Sequence, residues 1–374
     1  MKPFIWFGVS LVGCMPSVEP ADQPQHASLN DSATQDDTGD SAIGDTQVVV
    51  STISDNFSFG AIATVDMATL EVQDSLAATS GDTVVVTTGQ RVVVLNRLNT
   101  DTVRIYEPNS WTAPTLEFAL PDLSNPQDAL VCDDRLWVTQ HNRDRVTAHN
   151  LSDGLVVGAI SLDAWTGTDG FAEASSMLPT DDGMLIALQQ FDQLDGWAPE
   201  GGTILRAPCD GGSTQTLYEP GPSPTLIDHP TPGRFGVKTG TYGPLDGAVY
   251  LVDDQGLSME TLITESALGV DITAAAMTDS HLIYITMDSD WAYAVHCQSL
   301  ETGGTATGLT TSSFLSDIRL DDRGRAWISA RGGWADGAPD PSGLFVYDPE
   351  SCTSLLSSDE PIQTTLNPYS IDFL

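Results

Sequence analysis

An all-β chain closed into a single seven-bladed β-propeller, with four antiparallel strands in each blade, is the fold this sequence predicts. Three observations carry that expectation. One kind of β-rich run recurs seven times at a nearly constant spacing, a second kind follows it each time, and the last residues read as a strand that the first repeat lacks. Closed all-β folds often run to this length as one domain, so 374 residues do not require two. An apolar content of 40% suffices for a substantial core.

The first kind of run begins at Gln47, Arg91, Arg135, Gly183, Arg234, His281 and Arg325, with spacings of 44, 44, 48, 51, 47 and 44. Its members, such as RLWVTQHN from Arg135, are short, β-branched or aromatic, and bounded by Gly, Asp, Asn and Pro. The second kind begins at Gly60, Asp101, Asp144, Gly202, Gly247, Trp291 and Gly343, as in GAVYLVDDQG. A third precedes the first kind (PQDALVCDD, ASSMLPTDDG, ITAAAMTDS, SDIRLDDRG), and a fourth follows the second, as in LVVGAISL from Leu155. Four strands repeated at a fixed period make a propeller blade. The turns between the innermost and second strands carry Asp-Asp-Arg, Asp-Gly, Asp-Ser and Arg-Gly, which suit tight hairpins.

The ends of the chain complement each other. Asn367 to Leu374 (NPYSIDFL) resembles Asn125 to Val131 (NPQDALV), an innermost strand, whereas the first repeat begins with its second strand. The C-terminal strand is therefore expected to complete the N-terminal blade and remove two exposed sheet edges.

Ahead of the propeller stands a different kind of sequence. Lys2 and the apolar run Phe4–Gly13 have the form of a secretory signal, and the run falls well short of the roughly twenty residues that span a bilayer. It ends Leu11-Val12-Gly13-Cys14, which resembles the bacterial lipobox; the resemblance implies cleavage before Cys14 and lipidation of its thiol. Residues 1–13 are thus expected to be a lipoprotein signal peptide, and 14–45 a lipidated Cys followed by a disordered acidic tether without Lys or Arg. Residues 46–374 remain for the propeller. Met15 after the Cys lacks the aspartate of inner-membrane retention, so the resemblance implies an outer-membrane lipoprotein on the periplasmic or extracellular side, its membrane contact made through the N-terminal lipid.

Charge narrows the partners. The chain has 14 Lys+Arg against 52 Asp+Glu, a net charge of −38, and Lys238 is the single lysine after Lys2. Such a surface repels nucleic acid and anionic membranes. It reads as the solvating surface of a GC-rich or salt-adapted source, or else as a cation-collecting one.

The segment Asn125–Leu162 carries NP-x-D, LWVT, VTAHNL and G-x-x-V-G-x-I, and in these it resembles the YVTN-type propellers of bacterial periplasm and surface. The resemblance fades after Ala172. Leu95-Asn-Arg-Leu98 and Asp169-Gly-x-x-Glu173 also resemble segments of myxobacterial-type surface lipoproteins. No Gly-His and Trp-Asp pattern of WD repeats is present.

Function in such a scaffold is expected in loops longer than a tight turn. The loops between second and third strands and between blades contain Arg97, Arg143, Trp197, Arg331 and Trp334, with Asp169, Glu173, Asp228 and His229 assigned to the connections between blades. Three arginines with two tryptophans could hold a carboxylate, phosphate, sugar or protein ligand; alternatively, each Arg pairs with a nearby Asp and pins its own loop. His229 joins them as a ligand-binding candidate. No Gly-x-Ser-x-Gly or nucleophile–base pair marks a catalytic residue. Zinc ligation lacks the usual paired spacings. Asp288-Ser-Asp290 and Asp336 to Asp340 offer clustered oxygens for Ca²⁺ without the twelve-residue calcium loop. A metal of the kind propeller lactonases use could draw on Glu173 and Asp228, an incomplete set. Among Cys132, Cys209, Cys297 and Cys352, the pair Cys297–Cys352 falls on neighbouring blades and is the disulfide candidate. The expected function is a membrane-anchored, non-catalytic binding or scaffolding propeller; the alternative is a propeller hydrolase, lactonase or lyase with a metal at the channel mouth.

Overall fold

In the computed structural model, which describes residues 46–88, 90–332, 341–357 and 360–374, the repeats form seven four-stranded antiparallel sheets. Blade three shows the pattern from the inside outward: Pro126–Cys132, Arg135–Gln140, Arg145–Asn150 and Val156–Ser161. The second strands of all seven blades start within one residue of the positions that the repeat predicts. The proposed signal segment, Cys14, the tether and Trp334 lie outside the described residues.

Burial explains why the second strands carry the strongest signal. Gly183–Leu188 is buried at every position, because neighbouring blades cover both faces of its sheet. The outer strand Leu116–Ala119 instead alternates half-buried and exposed residues. The core therefore lies in the seams. Trp137, Val146 and Ala148 of blade three pack on Met184, Ile186 and Leu205 of blade four; Ile283 and Val295 of blade six meet Ile328 and Phe345 of blade seven. Each such aliphatic side chain contributes about 1.5–3 kcal/mol by leaving water.

Closure follows the predicted route. Blade one consists of Asn367–Phe373, Gln47–Ile53, Gly60–Asp66 and Val72–Thr79, so its innermost strand comes from the C-terminus. Val48 faces Phe373, Val50 faces Ile371 and Ser51 faces Ser370, with a bulge after Ser51. Ser370 Oγ also accepts the N–H of Val85 at 2.9 Å, which ties the closing strand to blade two.

An innermost strand is a sheet edge, and its free N–H groups need acceptors. Side chains of the preceding blade supply them. Asp128 Oδ2 accepts from Met177 N at 2.6 Å, Asp317 Oδ2 from Ile371 N at 3.0 Å, and Asp372 Oδ2 from Thr87 N at 2.6 Å. Thr88 and Ser176 hydroxyls do the same for Val131 and Leu226. The acidic composition thus has a structural use on the channel wall, where Arg319 lies 3.5 Å from Asp317. Burial pushes Asp128 up to about 6.

Two disulfides join adjacent blades. Cys297–Cys352 links blades six and seven, as expected, with Cα atoms 5.6 Å apart. Cys132–Cys209 links blades three and four, with Cα atoms 5.4 Å apart, and was not expected. Cys132 ends an innermost strand, and its sulfur approaches the carbonyl of Gly183, which begins the second strand of the next blade. The neighbouring strand ends at Ala207, so the turn after it brings Cys209 to the same place.

Candidate functional site

Each innermost strand starts at the end of the ring that also carries the loops between second and third strands. At that end, the mouth, blades one to four bring together polar side chains from loops of different blades. The opposite end carries the short hairpins.

Each of the three arginines bonds to a neighbouring segment of the chain. Arg97 pairs with Asp82 through Nε and Nη2, donates to Gln127 Oε1 at 2.7 Å, and donates to Tyr369 Oη at 2.7 Å. It thereby ties blades one, two and three at the mouth. Arg143 donates to the Asp122 carbonyl and to Ser124 Oγ, within the neighbouring connection. Arg331 is 4% exposed; it donates to the Asp55 carbonyl at 2.9 Å and lies 4.0 Å from the centre of the Phe57 ring.

Asp228 and His229 are displaced from their expected position. They follow Thr225–Ile227, the innermost strand of blade five, and precede the second strand Arg234–Lys238. This puts them at the hairpin end, opposite the mouth. His229 is buried there, and its Nδ1 accepts from Thr231 N at 3.0 Å. The innermost strand of blade five is three residues long and flanked by prolines, which erased the alternation that marks it elsewhere. Glu173 lies before the innermost strand of blade four, at the mouth, so Glu173 and Asp228 cannot ligate one ion. Among the described residues, no group of three or more His, Cys, Asp or Glu side chains is arranged to hold a metal. Asp288 Oδ1 is engaged by the N–H groups of Asp290 and Ala292 in its own turn.

What the mouth does assemble is a chain of amides between a histidine and a carboxyl. Asn142 Oδ1 lies 3.1 Å from His141 Nδ1 and accepts from Gln193 Nε2 at 3.2 Å. Gln193 Nε2 also reaches Glu173 Oε1 at 3.2 Å, and Phe191 N donates to Glu173 Oε2 at 3.1 Å. On the other side of the ring, His141 Nε2 lies 3.3 Å from Gln189 Oε1; both partners are acceptors, so a neutral ring donates to one of them at a time. Burial pushes His141 down, so the ring is neutral at pH 7.

Glu173 is 0% exposed; burial first, and then the nearby Asp169, push it up to about 8. Its backbone φ of 47° is unusual for a non-glycine residue, as is the φ of 67° at Trp197. Trp197 is half-buried, with its ring 5.8 Å from His141 and 6.2 Å from Phe191. The loop Gln189–Gly202, stiffened by a two-residue hairpin between Phe191–Asp192 and Ala198–Pro199, holds these groups in place. Gln127, Tyr369 and Gln189 carry no sequence signal, since their roles arise only when separate blades meet.

No protein-family model matches the sequence, and none of the curated proteins does. Solved structures do match. Periplasmic gluconolactonase from Pseudomonas aeruginosa is similar at a TM-score of 0.59 and 15% identity, over 88% of this chain and 98% of that one. A protein from Bacteroides fragilis titled a putative 6-phosphogluconolactonase is similar at 0.58 and 11% identity, over 90% of this chain and all of that one (100%). Acylaminoacyl peptidase from Pyrococcus horikoshii is similar at 0.53 and 9% identity, over 84% of this chain and 51% of that one. The likeness is one of fold. It sets the chain among seven-bladed propellers with bacterial neighbours.

Proposed function

We propose that the protein is a binding propeller of the bacterial cell envelope, anchored by a lipid on Cys14, that holds a small hydroxylated molecule at its mouth. The main support is the cluster of His141, Asn142, Gln189, Gln193 and Trp197: a rigid aromatic wall beside amide donors and acceptors suits a sugar or sugar acid. The pinned arginines supply rigidity more than charge recognition. Lipobox and tether supply the address, and the YVTN-type repeats agree with an envelope protein. Cys14→Ala is expected to move the protein from the membrane fraction to the soluble fraction. Continued membrane association after fractionation would remove the anchor.

A second function, hydrolysis of a lactone, is favoured by one observation: Glu173 keeps its proton near neutrality at the same mouth as the neutral base His141. A protonated carboxyl and a neutral imidazole are the pair that general acid–base chemistry needs. Titration calorimetry with gluconate and a pH-stat assay with glucono-δ-lactone separate the two. Binding without turnover supports the binding propeller; turnover that fails in His141→Asn supports the hydrolase. Trp197→Ala is expected to weaken gluconate binding at least about tenfold, the loss of one stacking wall. Gluconate that binds the variant as tightly as the wild type would dismiss this mouth as the site.

A further inference from the structure

The two disulfides stand in different surroundings. Cys297 and Cys352 are buried, 3% and 4% exposed, whereas Cys132 and Cys209 are each partly open to solvent. A bridge that solvent reaches is the one a reductant can attack. Arg135 flanks this bridge from both sides. It faces Cys132 across the hairpin of blade three, and its Nη1 donates at 3.2 Å to the carbonyl of Asp210, next to Cys209.

Behind the bridge lies the seam between blades three and four. Cys209 belongs to the turn 208–212, closed by Gly211 N donating to the Pro208 carbonyl at 3.0 Å. Gly211, at a φ of 79°, lies so close to Trp137 that a Cβ there would come within 3.1 Å of the indole Cη2. The turn therefore covers the edge of the indole, and Trp137 is 0% exposed. Among the described residues, its Nε1 is buried with no hydrogen-bond acceptor. A buried donor without a partner favours any state in which water reaches it. The disulfide and the Arg135–Asp210 hydrogen bond hold the turn against that tendency. Trp137 belongs to the apolar cluster that runs along the seam to Ala172 and Ala174, on either side of Glu173 at the mouth.

We propose that Cys132–Cys209 is a redox-active latch, opened by a dithiol, that sets how tightly blades three and four close over Trp137. A thiolate of the dithiol attacks one sulfur and forms a mixed disulfide, while the S–S bond pair leaves on the other sulfur as a thiolate. Arg135 stands beside the bridge to stabilise that leaving charge. The second thiol of the reductant loses its proton and displaces the remaining sulfur, and both cysteines take up protons. Two electrons pass from the dithiol to the cystine, and the reductant ends as a disulfide. The strands stay paired when the bridge opens, because Cys132 pairs with Arg135, and Ala207 with Met184, within their own sheets. What is freed is the turn 208–212. The latch does not depend on the ligand proposed for the mouth.

The full chain, equilibrated at pH 7 in dithiothreitol buffers of graded reduced-to-oxidised ratio, then alkylated and peptide-mapped, tests this. Cys132 and Cys209 are expected to open at a ratio at least about tenfold lower than Cys297 and Cys352 require. In hydrogen exchange, the peptide carrying residues 208–212 should then lose protection, while peptides from blades six and seven keep theirs. A Cys132→Ala/Cys209→Ala chain should exchange like the reduced one, with unchanged circular dichroism. Arg135→Gln should slow the opening of this bridge and leave the rate at Cys297–Cys352 unchanged. Opening of both bridges at one ratio, or a reduced chain whose turn exchanges as slowly as the oxidised one, would overturn the proposal.

Discussion

A chain ending at Leu366 is expected to show no cooperative unfolding transition and to aggregate. Removing residues 367–374 takes the innermost strand from blade one and leaves Val48–Ile53 as an exposed apolar edge. It uncovers the cluster in which Ile371 and Phe373 pack against Val48, Val50 and Trp327. It also deletes the acceptors for Val85 N and Thr87 N, and the Tyr369 hydroxyl that Arg97 holds. Each lost apolar side chain costs about 1.5–3 kcal/mol, and each orphaned buried N–H about 1–3 kcal/mol. Together these approach the whole stability of a domain, about 5–15 kcal/mol. A graded variant keeps the test quantitative: Ile371→Ala should cost about 2–5 kcal/mol in urea unfolding, the usual range for emptying a buried aliphatic site. A truncated chain that melts like the full one would mean that the ring does not depend on this strand.

That closure was legible because it depends on strand order alone. The second strands announced themselves since both faces are buried, and the orphan NPYSIDFL segment had one place to go. Blade five was harder. Its innermost strand is three residues long, so Asp228 and His229 looked like a connection between blades when they follow that strand. The Cys132–Cys209 bridge was hidden for a related reason: it joins an innermost strand to a turn past a third strand, and only the side-by-side stacking of blades makes those positions neighbours. The mouth was legible as a set of long loops but not as a network. Trp197 and Glu173 were marked out, yet the amides of Gln193 and Asn142 that connect Glu173 to His141 acquire meaning only at distances of about three ångströms. Scarcity of cations made the arginines conspicuous. Scarcity also explains their use as pins in a chain with so many carboxylates.

Glu173→Gln is expected to flatten the pH dependence of stability between pH 5 and 8. The folded-state pKa of Glu173 is about 8 against an ordinary value of 4.5, so the group favours folding when protonated. Its contribution is fully present below pH 4.5 and declines as the pH rises through 8, because the unfolded chain ionises first. The slope is about 1.4 kcal/mol per pH unit, and the whole loss is on the order of 4 kcal/mol. Glutamine cannot ionise, but its NH₂ cannot accept from Gln193, so the variant also carries a constant penalty of about 1 kcal/mol for that hydrogen bond. The diagnostic is therefore the difference in slope between the two proteins in urea unfolding at pH 5, 6, 7 and 8, not the stability at any one pH. Wild type should start more stable at pH 5 and become the less stable of the two by pH 8. Parallel curves would mean that Glu173 is already ionised in the fold, which would take away the acid that lactone hydrolysis at this mouth requires. Converging and crossing curves would instead establish a carboxyl that keeps its proton at neutral pH, at the far end of the amide chain from His141.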